Sequence, residues 1–158
     1  MTTSLHAGET GTPLPDDAFV LRLIKISKDG MALETHFAVM NKDDNPPLYS
    51  ISVWAENLTT PLQAREFMGE NKAAYMKYCR LSVTRIRTLT TPEITKPVLD
   101  VVWDKLYIDG TTQADLRPGA EGHSGITGLK KPPNIERRIY KTLRTRLADM
   151  ANEDLRDF

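Results

Sequence analysis

Apolar residues recur along this chain with two periods, and the period assigns the elements. Near the end of the sequence Ile135, Ile139, Leu143, Leu147 and Met150 fall three or four positions apart, which gathers them into one stripe of an α-helix. Asn134 stands where a helix cap belongs. Pro132 and Pro133 stop the helix from running further back, because proline drives the residue before it toward extended geometry. On the helical wheel Arg137, Lys141 and Arg144 lie together opposite the stripe, in position to be solvated.

Upstream the period shortens toward two. Residues 18–27 are apolar and β-branched and predict a first strand, with a change of alternation at Leu23 and Ile24 that marks a twist or bulge. Lys28-Asp29-Gly30 supplies a tight turn, since Asp-Gly accepts the positive φ that hairpins need. A second strand follows over 31–40, with Met31, Leu33, Phe37 and Val39 on one face and Glu34 and His36 on the other. Residues 48–54 alternate with Tyr49, Ile51 and Val53 inward and Ser50, Ser52 and Trp54 outward, so the first three strands read as a meander. Thr60 and Pro61 open a helix that reaches Met68, threonine capping and proline taking the first helical position. Residues 72–78 fit either a short helix or an irregular approach to the next strand. Residues 80–89 and 97–107 read as strands four and five, the latter with Leu99, Val101 and Trp103 on one face.

These elements make a single α+β domain over residues 18–152: a mainly antiparallel sheet of about five strands, a middle helix, and a C-terminal helix whose stripe packs on the sheet. Residues 1–17 mix Thr, Ser, Gly and Pro with little apolar content and are expected to remain a disordered tail. Residues 153–158 are expected to be an acidic C-terminal tail.

Composition supports one domain. A length of 158 residues, 40% hydrophobic and 27% charged, is ordinary for a globular chain large enough to bury a core. The formal net charge of zero excludes polyanion binding by bulk electrostatics and leaves only segregated patches. Such patches exist. From Lys130 to Arg146 there are seven basic residues and one acid, Glu136, whereas residues 147–158 hold four acids against Arg156. The single cysteine, Cys79, cannot form an intramolecular disulfide and suits a reducing compartment. No run of 18 apolar residues and no basic-then-apolar leader is present, so a cytoplasmic location without membrane insertion is the expectation.

Candidate chemistry concentrates between Asp109 and Asn134, a stretch with little periodicity and longer than the roughly 12 to 15 residues that structureless loops usually reach without a function. It contains Gly119, Gly122, Gly125 and Gly128. Their spacing fails the nucleotide P-loop, which needs four residues between its glycines and then Lys with Ser or Thr. Gly122-His123-Ser124-Gly125 fails the hydrolase elbow, which needs glycine where Ile126 stands. His123, beside Glu121, has the chemistry of an acid or base near neutral pH, but any partner for it depends on tertiary structure. No histidine pair has metal-binding helical spacing and no second cysteine is present.

The pattern points to a small cytosolic, non-catalytic binding protein of adaptor, accessory or inhibitor type, without cofactor or metal. It would recognise a protein partner through the glycine-rich loop and the basic helix, with Glu121, His123, Lys130, Lys131, Arg137, Lys141 and Arg144 in contact. Two alternatives stand beside it. One is nucleic-acid or phosphate-ligand binding by the same basic surface, joined by Arg80, Arg85 and Arg87; the other is a hydrolase or phosphodiester-processing enzyme using His123.

Overall fold

A computed structural model describes residues 7–39, 50–108 and 111–158. Among these, six strands form one sheet: β1 (Phe19–Lys25), β2 (Ile51–Ala55), β3 (Tyr75–Ser82), β4 (Asp100–Trp103), β5 (His123–Thr127) and β6 (Leu155–Asp157). Their spatial order is β4-β5-β2-β1-β3-β6, and every neighbouring pair is antiparallel. Three α-helices accompany them, α1 (Pro61–Glu66), α2 (Val83–Arg87) and α3 (Arg137–Glu153). The α+β domain with its middle and C-terminal helices is as expected; the sheet has one strand more.

Alternation along the strands gives the sheet two apolar faces. Val20, Ile24, Ile51, Val53, Leu81, Val101 and Ile126 join Leu143, Leu147 and Ala151 of α3 in the main core. On the other face Leu23 and Trp54 are covered by Ala64 and by Phe67. The second core needs α1 where it is, and the sequence starts α1 there: Thr60 Oγ1 accepts the Gln63 N–H while the Gln63 side chain takes the Thr60 N–H, a reciprocal cap with Pro61 as first helical residue. Trp54, expected to face outward, is therefore buried.

The expected second strand is absent. Residues 34–37 form a 3-10 turn with Phe37 fully buried, and β1 pairs with β2 and β3 instead of with residues 31–39. Side chains have taken the backbone bonds that a hairpin would have used. The Asn152 amide accepts the Ala32 N–H at 2.8 Å and donates to the Ala32 carbonyl at 3.0 Å. Arg22 donates to the His36 carbonyl at 2.8 Å and to the Ser52 carbonyl at 2.7 Å, and Leu33 donates to His36 Nδ1 at 2.8 Å. Met40 and residues 41–49, which include the expected loop and the start of the third strand, lie outside the described residues.

Boundaries move as well, and the strand expected over 97–107 is β4, confined to Asp100–Trp103. The strand expected over 80–89 is β3, which starts at Tyr75 and ends where Ser82 caps α2, its Oγ accepting the Arg85 N–H. Val83 and Ile86, both fully buried, sit three apart and belong to that helical turn. The helix expected from Asn134 begins at Arg137, with Glu136 as the capping residue.

The chain on either side of the domain is also ordered. Among residues 7–17, Gly11 and Leu14 donate to the carbonyls of Trp103 and Val101, and Trp103 donates back to Thr12. Leu14 is buried, and Arg87 fixes the segment from beneath, bonding the Leu14 carbonyl at 2.6 Å, Asp16 at 2.7 Å and Asp100 at 2.6 Å. An apolar residue in the right place and an open strand edge outweigh the polar composition from which a tail was expected. Residues 155–157, also expected as tail, pair with β3 as β6. Residues 1–6 lie outside the described residues.

Candidate functional site

The glycine-rich stretch is not a loop at its centre. After a 3-10 turn at Ala120–Gly122 it becomes β5, hydrogen-bonded on one side to β2 and on the other to β4. The glycines serve close packing. A Cβ on Gly122 would run into Thr59 Oγ1, and one on Gly125 into Ser50 Oγ, so neither position has room for a side chain. Thr59 Oγ1 in turn donates to the Gly119 carbonyl, tying the turn to the end of β2. The centre of the expected recognition loop, residues 123–127, is thus an interior strand.

His123 shares this burial, with 6% of its surface exposed. Its Nδ1 lies 2.7 Å from the Asp104 carbonyl oxygen, and its Nε2 lies 3.0 Å from Ser52 Oγ. A carbonyl only accepts, so Nδ1 carries the proton and Nε2 accepts from the serine hydroxyl. Burial holds the imidazole below the ordinary histidine value, with the Asp104 carbonyl and carboxylate opposing the shift. The ring meets Trp54 edge-on at 5.3 Å.

A neutral histidine on a serine hydroxyl has the form of a base and its nucleophile, but Ser52 does not share the cavity beside the ring. Ser52 is the second residue of β2, paired with Gly125 of β5, rather than on an exposed turn. The 350 Å³ cavity beside His123 is reached by Asp104, Lys105, Arg117 and Glu121 and is not lined by Ser52. His123 joins the ends of β2, β4 and β5. Asp115, in the same wall, is ion-paired with Arg117 at 2.6 Å, whose hydrogen bond holds the carboxyl below the usual range, and Arg117 stacks 4.2 Å over Phe67.

The other expected contacts lie at the far end of β5 or beyond. A five-residue strand spans about 17 Å, so exposed Glu121 and buried His123 at its start are separated from Lys130 and Lys131 past its end. Lys130 is exposed and Lys131 half-buried. Arg137 and Lys141 are exposed on α3, as the helical wheel requires. Arg144 is not solvated as expected: its Nε lies 2.9 Å from Glu34, and the pair is 16% and 21% exposed. The 3-10 turn at 34–37 covers that flank of α3 and brings the acid with it. Arg138, three residues before Lys141 and beside it on the helix surface, is widely exposed and pairs with Glu136 at 3.0 Å. Its signal was in the sequence, in the basic run itself.

Cys79 is buried, and burial pushes its thiol up to about 12, which leaves it an inert core side chain. Among the described residues no cluster of three or more His, Cys, Asp or Glu could hold a metal ion, and no helix is long and apolar enough to cross a membrane. Comparison with protein-family models, curated proteins and solved structures gives no match.

Proposed function

We propose that this protein is a non-catalytic binding protein whose helix α3, with Lys130 and Lys131 leading into it, receives an acidic face of a partner protein. The observation that carries the proposal is the order of charges on α3. Its first turns present Arg137, Arg138 and Lys141, and its last turns present Asp149 and Glu153, with Asp154 as the C-cap. A helix dipole favours the reverse, acids at the N-terminus and cations at the C-terminus, by about 0.3–1 kcal/mol for each charge. Arg137 and Lys141 make no ion pair among the described residues to offset this. Folding alone does not favour the arrangement, whereas an acidic partner does.

The contact set is smaller than the sequence suggested. Arg144 is used internally by Glu34, and Glu121 and His123 belong to the other end of β5, so the contact rests on Arg137 and Lys141, joined by Arg138. Neutral overall charge and the acids further along the same helix favour a local acidic patch over a long polyanion.

The test is binding of a fluorescent oligoglutamate peptide and of a short single-stranded oligonucleotide across a range of salt, with the native chain and with an Arg137→Glu, Lys141→Glu variant. Peptide binding that weakens with salt and falls tenfold or more in the variant supports the proposal. Binding of the oligonucleotide alone would transfer the surface to nucleic acid. Equal binding by both proteins would remove α3 from the function.

A further inference from the structure

Away from Arg137 and Lys141 in the sequence, the β1–β3 pairing breaks register. Ile24 pairs with Lys77 and Lys25 with Tyr75, so Met76 has no residue opposite it. A bulge of this kind re-aims a side chain, and here it leaves Met76 51% exposed next to Ile26 at 66%. Met31, 49% exposed, stands close by, because Ser27 Oγ accepts its N–H and donates to its carbonyl. Between them lies a groove of 220 Å³ lined by Ile24, Lys25, Ile26, Gly30, Met76 and Lys77, together with Ser27.

Three properties define what this groove can accept. Its volume is below the roughly 300 Å³ at which pockets for drug-sized ligands begin, so it takes one side chain rather than a whole small molecule. Its walls are almost wholly apolar, and methionine and isoleucine side chains adapt to an aliphatic anchor. Its charged lining consists of two lysines and no acid. Lys77 reaches Asp157 at 3.2 Å, but that carboxylate is 80% exposed, and Lys25 lies 5.7 Å over the Tyr75 ring. Lys28 adds a third cation on the turn that follows, beside Asp29.

We infer that the groove at the β1–β3 bulge docks a short acidic segment of a partner protein that inserts one bulky aliphatic side chain between Ile26 and Met76, its flanking carboxylates meeting Lys25 and Lys77. The burial of the anchor supplies affinity and the lysines orient the segment. This contact is independent of Arg137 and Lys141, and it stands or falls separately from the α3 surface.

The test uses the full chain, isotope-labelled in its backbone and in its isoleucine and methionine methyl groups, titrated with the peptide Glu-Glu-Leu-Glu-Glu and with the same peptide carrying alanine for leucine. The leucine peptide is expected to shift the Ile26 and Met76 methyl signals and the Ser27 and Gly30 amides, and the alanine peptide to bind at least tenfold more weakly. Ile26→Glu and Met76→Glu, both at exposed positions, are expected to abolish the shifts while Arg137→Glu leaves them intact. No shift at these residues, or equal shifts from the two peptides, overturns the inference. So does self-association in sedimentation that Met76→Glu removes, since the groove would then belong to a second copy of the chain.

Discussion

Among the described residues, His123 and His36 are the histidines whose protonation the fold opposes, and in both the main cause is burial. Their folded values lie below the unfolded value of about 6.5, so between the two the unfolded chain binds a proton that the native state refuses. The resulting stability is fully present above about pH 6.5 and is lost as pH falls through the folded values. Urea midpoints measured from about pH 7.5 down to about pH 5 should therefore decline, and replacing both histidines by glutamine should flatten that decline. Leu143, fully buried in the main core, is the second case: Leu143→Ala should cost about 2–5 kcal/mol. Half-exposed Ile139 should cost less. Leu143 was legible because a period of three to four singles out one face whatever covers it. Trp54 was not, because alternation tells which residues share a face but not whether a second layer lies over it. The indole Nε1, buried without a hydrogen-bond partner among the described residues, shows how tightly α1 closes that layer.

At the level of elements, α3 carries charges that oppose its own dipole, and two effects of one substitution should diverge. Arg137→Glu is expected to raise stability by about 0.3–1 kcal/mol in a thermal melt while weakening the binding of an acidic partner. A variant that loses both, or neither, would mean the cations serve the helix. The segment at residues 11–14 makes the opposite case. Deleting residues 1–15 removes buried Leu14 and its bond to Val101 and should lower the melting temperature by several degrees, a burial loss of about 2 kcal/mol or more. The elements that were legible, α1 and α3, carry their signals locally: a cap, a proline, a stripe. β5 did not, since His123, Ser124 and Gly125 have little strand propensity and are held extended only by β2 and β4 on either side. The turn at 34–37 was hidden for the same reason, its geometry being set by Asn152 and Arg144 more than a hundred positions away.

For the whole molecule, the spatial order of the strands departs strongly from their order in sequence. β1 and β2 are consecutive and adjacent, but β5 inserts between β2 and β4, and β3 lies between β1 and β6. The edge of β4 is covered by residues 11–14 and the edge of β3 by residues 155–157. During synthesis the ribosome would thus have to deliver the chain through residue 157 before β3 could find its outer neighbour. Until then the nascent polypeptide presents an unpaired edge to every other protein around it. Such long-range pairing slows folding, and a nascent chain arrested at residue 150 should be cut by protease along β3, whereas one extended past Phe158 and clear of the exit tunnel should resist.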